Sequence, residues 1–598
     1  MPAMPALLLA STSRRVASAA GLGAAIQSRQ GRKLARAFSA AAPPPTSAGS
    51  GTAESRWNAS GRWEQDVDAT RDVSSASSFL LQESYGEYFK VPNPSKLMTK
   101  IICTVGPATC SKQKLGEMLD AGMSAMRLNA SHGDYEFFKT AITNLREAAE
   151  SRRRICPVIL DTKGPEVRIG RFPVENIEVQ NGDTFTFYCD YDREGSAQGV
   201  GTTFDRLAQT VAIGDVILVD DGRLSFLTRE IDEATGDVTC SVIMGGVIKS
   251  NKGLNLPGCP IDLPHLTEKD YKDIAFAVEQ RVEYIAHSFT RSAAGILAVR
   301  EIPGVVETGI HVIAKIESQE ALNNINAITS VSDGIMVARG DLGVEIPLER
   351  VCSVQKRLIR DSNLAGKFVI TATEMLDSMI HSPRPTRAEA SDVANAVFDG
   401  TDCVMLSGET AVGSYPVATI QVMNRICKEA ELDIEQHKRT HVLEEDEEVR
   451  RKNATGRFRD LNEAFSMAAV ATAKDIDAAL IIAVTKTGQT AKTLSKHFPT
   501  VPILALATSP KICAQVSLYR GVIPYLVHSL ERASCVPRGI AKATELGLVS
   551  HGSRVVLVTG HDDSVANRLE SFVVGASVPE LSIIPGQSYV PGSSFHAP

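Results

Sequence analysis

Eight short apolar runs recur along the middle of this chain, and each ends in a burst of polar or charged residues. They read KIICTVG from Lys100, AMRLNAS from Ala125, PVILDTKG from Pro157, EYIAHSF from Glu283, HVIAKIES from His311, GIMVARGD from Gly334, KFVITATEM from Lys367 and DCVMLSGET from Asp402. Between most of them lie stretches of helical period, such as CSKQKLGEMLDAG from Cys110 and ERVCSVQKRLIRDSNLAGK from Glu349. Unbroken apolar runs of this length mark strands buried on both faces, as in a parallel sheet. One helix carries its own start and stop signals: Thr386 and Glu389 form an S/T-x-x-E capping box, and Gly400 ends the run. Eight strand–helix units predict an α/β fold, a (β/α)8 barrel. An open doubly wound sheet is the rival, and eight repeats favour closure.

The rhythm breaks once. From Val167 to about Ile261 the pattern alternates between Gly and Asp turns, as in DTFTFYCD, VILVDDGRLSFLTREI and DVTCSVIMGG. This predicts a small all-β insert, residues 167–261, between strands three and four of a barrel formed by 96–166 and 262–432. The last barrel helix is expected to end near Leu432. An acidic stretch, EEDEE from Glu444, follows as a solvated linker. A second α/β domain, within 433–598, has strands at AALIIAVT, PILALAT and RVVLVTG.

No Asp or Glu appears before Glu54, while Arg14, Arg15, Arg29, Arg32, Lys33 and Arg36 lie among Ala and Ser. Arg29, Arg32, Lys33 and Arg36 share one helical face, opposite Leu34 and Phe38. Residues 1–38 thus read as a mitochondrial presequence, cleaved between Phe38 and Ser39, with a plastid transit peptide or a disordered cytosolic tail as alternatives. Residues 39–95 read as a tail or arm. The net charge of −7 gives no sign of nucleic-acid binding. No apolar run approaches the length of a membrane span. The eleven cysteines form no C-x-x-C pair, which favours reduced thiols over disulfides or a zinc site.

Active-site residues of such barrels sit at the C-terminal ends of the strands. Here those ends carry Arg127, Asn129 and Ser131; Asp161, Thr162 and Lys163; Lys315 and Glu317; Arg339, Gly340 and Asp341; and Thr373. Divalent magnesium takes one or two carboxylates plus substrate oxygens, and phosphate takes Arg, Lys and backbone N–H groups. Both sets converge, so phosphoryl transfer is the natural reaction class. Any one of these residues alone could be an ordinary ion pair at a strand end.

Taken together, MRLNASHG, LDTKGPEVR, NLPGCPIDLP, IAKIES, VARGDLGVEIP, TATEMLDSM and PRPTRAEASDVANAVFDGTDCVMLSGET resemble the pyruvate kinase family, in its order and spacing, over about Lys100 to Pro585. The resemblance implies transfer of a phosphoryl group from phosphoenolpyruvate to ADP, giving pyruvate and ATP, the last step of glycolysis. It implies that Lys315 contacts the phosphoryl group and the enolate, and that Glu317 and Asp341 hold Mg²⁺ or Mn²⁺. Gly340 and the neighbouring N–H groups would bind the substrate carboxylate, Thr373 would hydrogen-bond substrate on the proton route, and Arg127 would clamp the phosphate. Asn129, His132, Arg168 and Lys252 would serve the nucleotide. The β insert would be a lid that excludes water. Asn129, Ser131, Asp161 and Thr162 would hold K⁺, and Glu166 is the residue that accompanies K⁺ dependence; a Lys there accompanies independence.

Three positions depart from the family pattern: Ala130 where Phe is usual, Glu374 where Gln is usual, and His287, expected to be a packed and satisfied histidine. In the C-terminal domain, TKTGQT (Thr485, Lys486, Thr487, Gly488, Gln489 and Thr490) resembles the family's effector-phosphate turn, with an ordinary strand-to-helix turn as the alternative. The expected partner loop, TGHDDSVANRLE from Thr559, has Asp562 and Asp563 where a second phosphate would need cations. A monophosphate effector is therefore expected, and a homotetramer by resemblance. Two other classes compete: a catalytically weak effector sensor, against which Lys315, Glu317 and Asp341 are all present, and another phosphoenolpyruvate/pyruvate barrel enzyme, against which the β insert argues.

Overall fold

The structure is a computed structural model; it describes residues 97–175, 177–440, 461–560 and 566–575. The expected presequence, the tail up to residue 95, the EEDEE stretch, and Asp562 and Asp563 lie outside the described residues.

All eight apolar runs form strands: β1 (Lys100–Thr104), β2 (Met123–Asn129), β3 (Val158–Asp161), β4 (Tyr284–His287), β5 (His311–Ile316), β6 (Gly334–Ala338), β7 (Phe368–Ala372) and β8 (Cys403–Leu406). They pair in parallel with their chain neighbours, and β1 pairs with β8, Ile101 opposite Val404, to close the barrel. The open doubly wound sheet is thereby excluded. Nearly every strand residue is buried, because helices cover the outside and side chains fill the lumen. Packing is tight enough to fix residue size: a Cβ on Gly334 would collide with the Phe368 ring of the next strand.

Helices Lys112–Ala121, Tyr135–Ser151, Glu268–Glu279, Leu348–Leu364 and Arg387–Phe398 lie between the strands. The expected capping box is present: Thr386 Oγ1 accepts from Glu389 N–H, and the Glu389 carboxylate accepts from Thr386 N–H at 2.7 Å. Beyond β8 the helix Pro416–Thr440 runs past Leu432, where the sequence suggested an end.

The insert leaves the barrel after β3. Its six-stranded sheet includes Thr184–Tyr188, Val216–Val219, Leu224–Asp232 and Asp237–Met244, around a core of Phe185, Phe187 and Phe226. The chain returns to the barrel over residues 261–264, where Arg291 donates to the carbonyls of Ile261, Leu263 and Pro264.

The C-terminal sheet has five strands rather than the three expected: β9 (Leu480–Val484), β10 (Ile503–Ala507), β11 (Val522–Leu526), β12 (Arg554–Gly560) and β13 (Ala566–Val573), in the order β11-β10-β9-β12-β13. After β12, where the sequence predicts a loop, residues 566–573 pair back on it as antiparallel β13. This domain sits on the barrel floor. One apolar core runs from the barrel lumen (Ile102, Ile313, Phe368) into it (Ile481, Ile503, Tyr519), and the Phe368 and Tyr519 rings meet edge to face at 5.4 Å. Polar ties cross the same seam: Lys100 Nζ donates to Val522 O, and Arg520 N–H to Asp402 Oδ1.

Candidate active site

A strand puts residues i and i+2 on one face. Lys315 and Glu317, at the end of β5, thus project together, and Lys315 Nζ lies 2.8 Å from Glu317 Oε1 and 3.2 Å from Asp161 Oδ1. Asp161 ends β3 and pairs through Oδ2 with Arg127 Nε at 2.7 Å. Arg127, from β2, also donates to Thr104 Oγ1 at the end of β1, at 3.0 Å. Arg127, Asp161, Lys315 and Glu317 are all buried. Burying charges is costly unless they are matched. Two cations and two anions at hydrogen-bond range meet that condition.

The matching is uneven. Burial favours a neutral Asp161, but Arg127 and Lys315 outweigh it and hold its carboxyl below the usual range. Burial favours a neutral Lys315, but Asp161, Glu317 and Asp341 outweigh it and hold the ammonium charged. Burial pushes Glu317 up to about 7; Lys315 opposes this and Asp341 adds to it. Burial also raises Asp341, against the pull of Lys315. Glu317 and Asp341 are thus neighbouring carboxyls short of positive charge. That deficit, in an oxygen-donor pair at the barrel mouth, fits a divalent cation. The carboxylate of Asp161 is already matched by two cations. It stands with Asn129, Ser131 and Thr162, whose oxygens are neutral, a donor set suited to a monovalent ion. Asn129 and Asp161 are register partners across β2 and β3, and Asn129 Oδ1 accepts from Ser131 N–H at 3.1 Å.

Gly340 N–H donates to Thr373 Oγ1 at 2.7 Å, bringing the ends of β6 and β7 together. Thr373 and Glu374 both have positive φ, +69° and +54°. Consecutive left-handed non-glycine residues cost on the order of 1–3 kcal/mol each and cluster at functional sites. Arg339 is structural instead: its donors go to the Ala372 and Thr373 carbonyls, Gln355 and Asp392. At the base of the insert, Arg168 pairs with Glu166 at 2.5 Å and Lys252 with Asp220 at 2.6 Å. An antiparallel bridge between Arg168 and Gly253 brings together the two segments that carry these basic residues. His132 is exposed in the turn after β2.

Sequence reasoning passed over the turn that follows β4. Ser288 Oγ lies 2.7 Å from Lys315 Nζ, 2.6 Å from Thr162 O and 3.1 Å from Asp161 Oδ1. Phe289 N–H donates to Glu317 Oε2 at 2.5 Å, from a backbone held at φ +52°. Gly164 makes room for it: its own φ is +72°, and a Cβ there would sit 2.8 Å from Phe289 Cδ2. Phe289 is the only visible signal, a bulky residue after a strand whose strain appears in the fold alone. His287 is packed as expected but not satisfied, since both ring nitrogens lack a hydrogen-bond partner among the described residues. Burial pushes its pKa down to about 4, so the ring is neutral.

At the second candidate site, Thr485 Oγ1 accepts from Gly488 N–H at 2.9 Å, and Gly488, at φ +85°, precedes the helix Gln489–Lys496. Lys486, Thr487 and Gln489 are exposed, whereas Thr485, Gly488 and Thr490 are buried. Thr487 Oγ1 likewise accepts from Gln489 N–H at 3.4 Å, so two hydroxyls and two N–H groups of the turn serve each other.

A closed (β/α)8 barrel with a cationic, carboxylate-bearing mouth and an all-β insert beside it defines a phosphoryl-transfer enzyme. The family model for the pyruvate kinase barrel domain matches residues 96–420, and that for the pyruvate kinase alpha/beta domain matches residues 463–574. A pyruvate kinase of Dictyostelium discoideum is 41% identical over 500 residues, covering 82% of this chain and 97% of that one. One of Eimeria tenella is 43% identical over 487 residues, covering 80% and 89%. The crystal structure of a pyruvate kinase from Cryptosporidium parvum superposes with a TM-score of 0.75 at 38% identity, covering 80% of this chain and 97% of that one. The chain belongs to the pyruvate kinase family. It is a phosphotransferase that moves the phosphoryl group of phosphoenolpyruvate to ADP, yielding pyruvate and ATP.

Proposed function

We propose that the chain performs this reaction with the residues gathered around Lys315. The observation that carries the assignment is a charged ammonium held between two carboxylates at the barrel mouth. A fixed cation there stabilises charge that develops on the transferring phosphoryl group and on the enolate oxygen. Arg127, with Asp161 orienting its Nε, offers its remaining donors to the phosphate. Gly340 N–H and Thr373 Oγ1, bonded to each other at 2.7 Å, would exchange that bond for the carboxylate side of the substrate, and Thr373 would lie on the path of the proton to the enolate carbon. Glu317 and Asp341 would hold Mg²⁺ or Mn²⁺, which supplies Lewis-acid neutralisation of substrate oxygens when bound. Asn129, Ser131, Asp161 and Thr162 would hold K⁺. Asn129, His132, Arg168 and Lys252 would face the nucleotide, with the insert closing over it to exclude water.

Three further assignments belong to this reading. The TKTGQT turn takes a single phosphate, since only Lys486 supplies charge there. The chain assembles as a homotetramer. Residues 1–38 direct it to the mitochondrion, with the plastid as the alternative address. Among the described residues no helix is long and apolar enough to cross a membrane.

The test is a coupled assay of the protein purified from Ser39 onward, with ADP and phosphoenolpyruvate. Turnover should need a divalent cation and should fall sharply when tetramethylammonium replaces K⁺. Full turnover without any divalent ion would overturn the roles given to Glu317 and Asp341.

A further inference from the structure

We infer that Ser288 is a positioning residue whose hydroxyl joins the Lys315 ammonium to the oxygens proposed to hold the monovalent cation. This rests on the reading of Lys315 and of the Asn129, Ser131, Asp161 and Thr162 cradle given above.

The hydrogen-bond inventory leaves little freedom. A lysine ammonium donates and cannot accept, so at 2.7 Å the Ser288 oxygen accepts from Lys315. A hydroxyl has one proton. Thr162 O, at 2.6 Å, takes it in preference to Asp161 Oδ1 at 3.1 Å, which Lys315 already reaches. Ser288 is 2% exposed, so solvent does not substitute for either partner.

The turn itself is anchored on the cradle strand. Ser288 N–H donates to Thr162 Oγ1 at 3.2 Å, and Thr162 N–H donates to Ala286 O at 3.0 Å. The next residue, Phe289, donates to Glu317 from its strained backbone. One turn therefore touches Thr162, Asp161, Lys315 and Glu317.

A cation bound at the Thr162 and Asp161 oxygens draws on lone pairs that Ser288 also uses. Its presence is felt at the Ser288 hydroxyl and, one hydrogen bond later, at Nζ of Lys315. Ser288 thus links the cradle to the group that meets the developing charge. Outer-shell partners of this kind, when removed, typically cost about 10–100-fold in activity.

Ser288→Ala removes one oxygen and adds no volume. Its kcat should fall about 10–100-fold, by the same outer-shell reasoning, while the KM for phosphoenolpyruvate stays near that of wild type. A second readout avoids turnover: calorimetric titration with oxalate, a planar dicarboxylate that mimics the enolate, in Mg²⁺ with either K⁺ or tetramethylammonium. Wild type should bind oxalate more tightly in K⁺, and Ser288→Ala should lose that gain. Ser288→Cys keeps the branching of the side chain but puts a larger sulfur and a weak donor in place of the hydroxyl, and should lose it as well. A wild type that gains nothing from K⁺ removes the cradle reading and this inference with it. A wild type that gains, beside variants that keep both the gain and kcat, refutes the role of Ser288 alone.

Discussion

Lys315 and Glu317 stand two residues apart at the end of one barrel strand, and their Nζ and Oε1 meet at 2.8 Å. The pair is intrinsically mismatched in demand, since Glu317 is pushed up to about 7 by burial even with the ammonium beside it. Removing the lysine therefore strips the mouth of its fixed cation, while Asp161 keeps Arg127. Lys315→Ala should lower kcat on the order of 10²–10³-fold, the usual cost of a lost transition-state donor. Folding and Mg²⁺–phosphoenolpyruvate binding should persist, as read by circular dichroism and calorimetry. Near-normal turnover would refute the assignment.

Glu166→Lys should make turnover independent of K⁺. The new ammonium would stand in for the charge of the monovalent cation, while Arg168 would lose its 2.5 Å partner. The KM for ADP should change along with the cation dependence. Rates in K⁺ and in tetramethylammonium, measured for both forms, decide the matter; an unchanged K⁺ requirement in the variant counts against the role given to Glu166.

Asp402 sits at the seam between the barrel and the C-terminal domain, accepting from Val369 N–H and Arg520 N–H. Burial pushes its carboxyl up from 3.8 to about 6, against those bonds and the Arg520 and Lys100 charges. The folded chain then holds a proton that the unfolded chain has released. Stability from this group is full below the unfolded value and is lost as pH rises through the folded one. Asp402→Asn should therefore melt higher, relative to wild type, at pH 7 than at pH 4. A melting difference that stays flat over that range would contradict the raised pKa.

Activation at limiting phosphoenolpyruvate should come from a sugar monophosphate or AMP rather than fructose 1,6-bisphosphate. The exposed hydroxyl of Thr487 and the charge of Lys486 can serve one phosphate, and Thr487→Ala should weaken the response. Strong activation by the bisphosphate alone would show that the turn is misread.

Residues 1–50 fused to a fluorescent protein should reach mitochondria, and an enzyme lacking residues 1–38 should keep full turnover. A diffuse cytosolic signal would count against the acid-free, arginine-faced helix as an address, and a plastid signal would change the address.

The sequence displayed the barrel openly because strands buried on both faces need unbroken apolar runs, and Ile313 or Val404 can occupy no other kind of position. The Thr386–Glu389 cap was legible for a local reason: its partners are three residues apart. Two C-terminal strands were hidden by their edges. β11 contains Pro524, tolerable in a strand that pairs on one side only. β13 carries Asn567, Arg568 and Glu570, which resemble a loop until β12 supplies the hydrogen bonds. Ser288 was hidden for a different reason. Apart from the bulky Phe289 beside it, nothing nearby in the chain marks it, because Thr162 and Lys315 reach it from strands on either side.

The apolar core that passes unbroken from the barrel lumen into the C-terminal domain bears on how this protein could be taken apart. A cut between the two would leave the lumen without a floor and the sheet without its cover, each half exposing greasy surface to water. The C-terminal domain is therefore no detachable module. It is part of the material from which the catalytic barrel is sealed, and exchanging it for a foreign domain would require refitting side chains on both sides of the join.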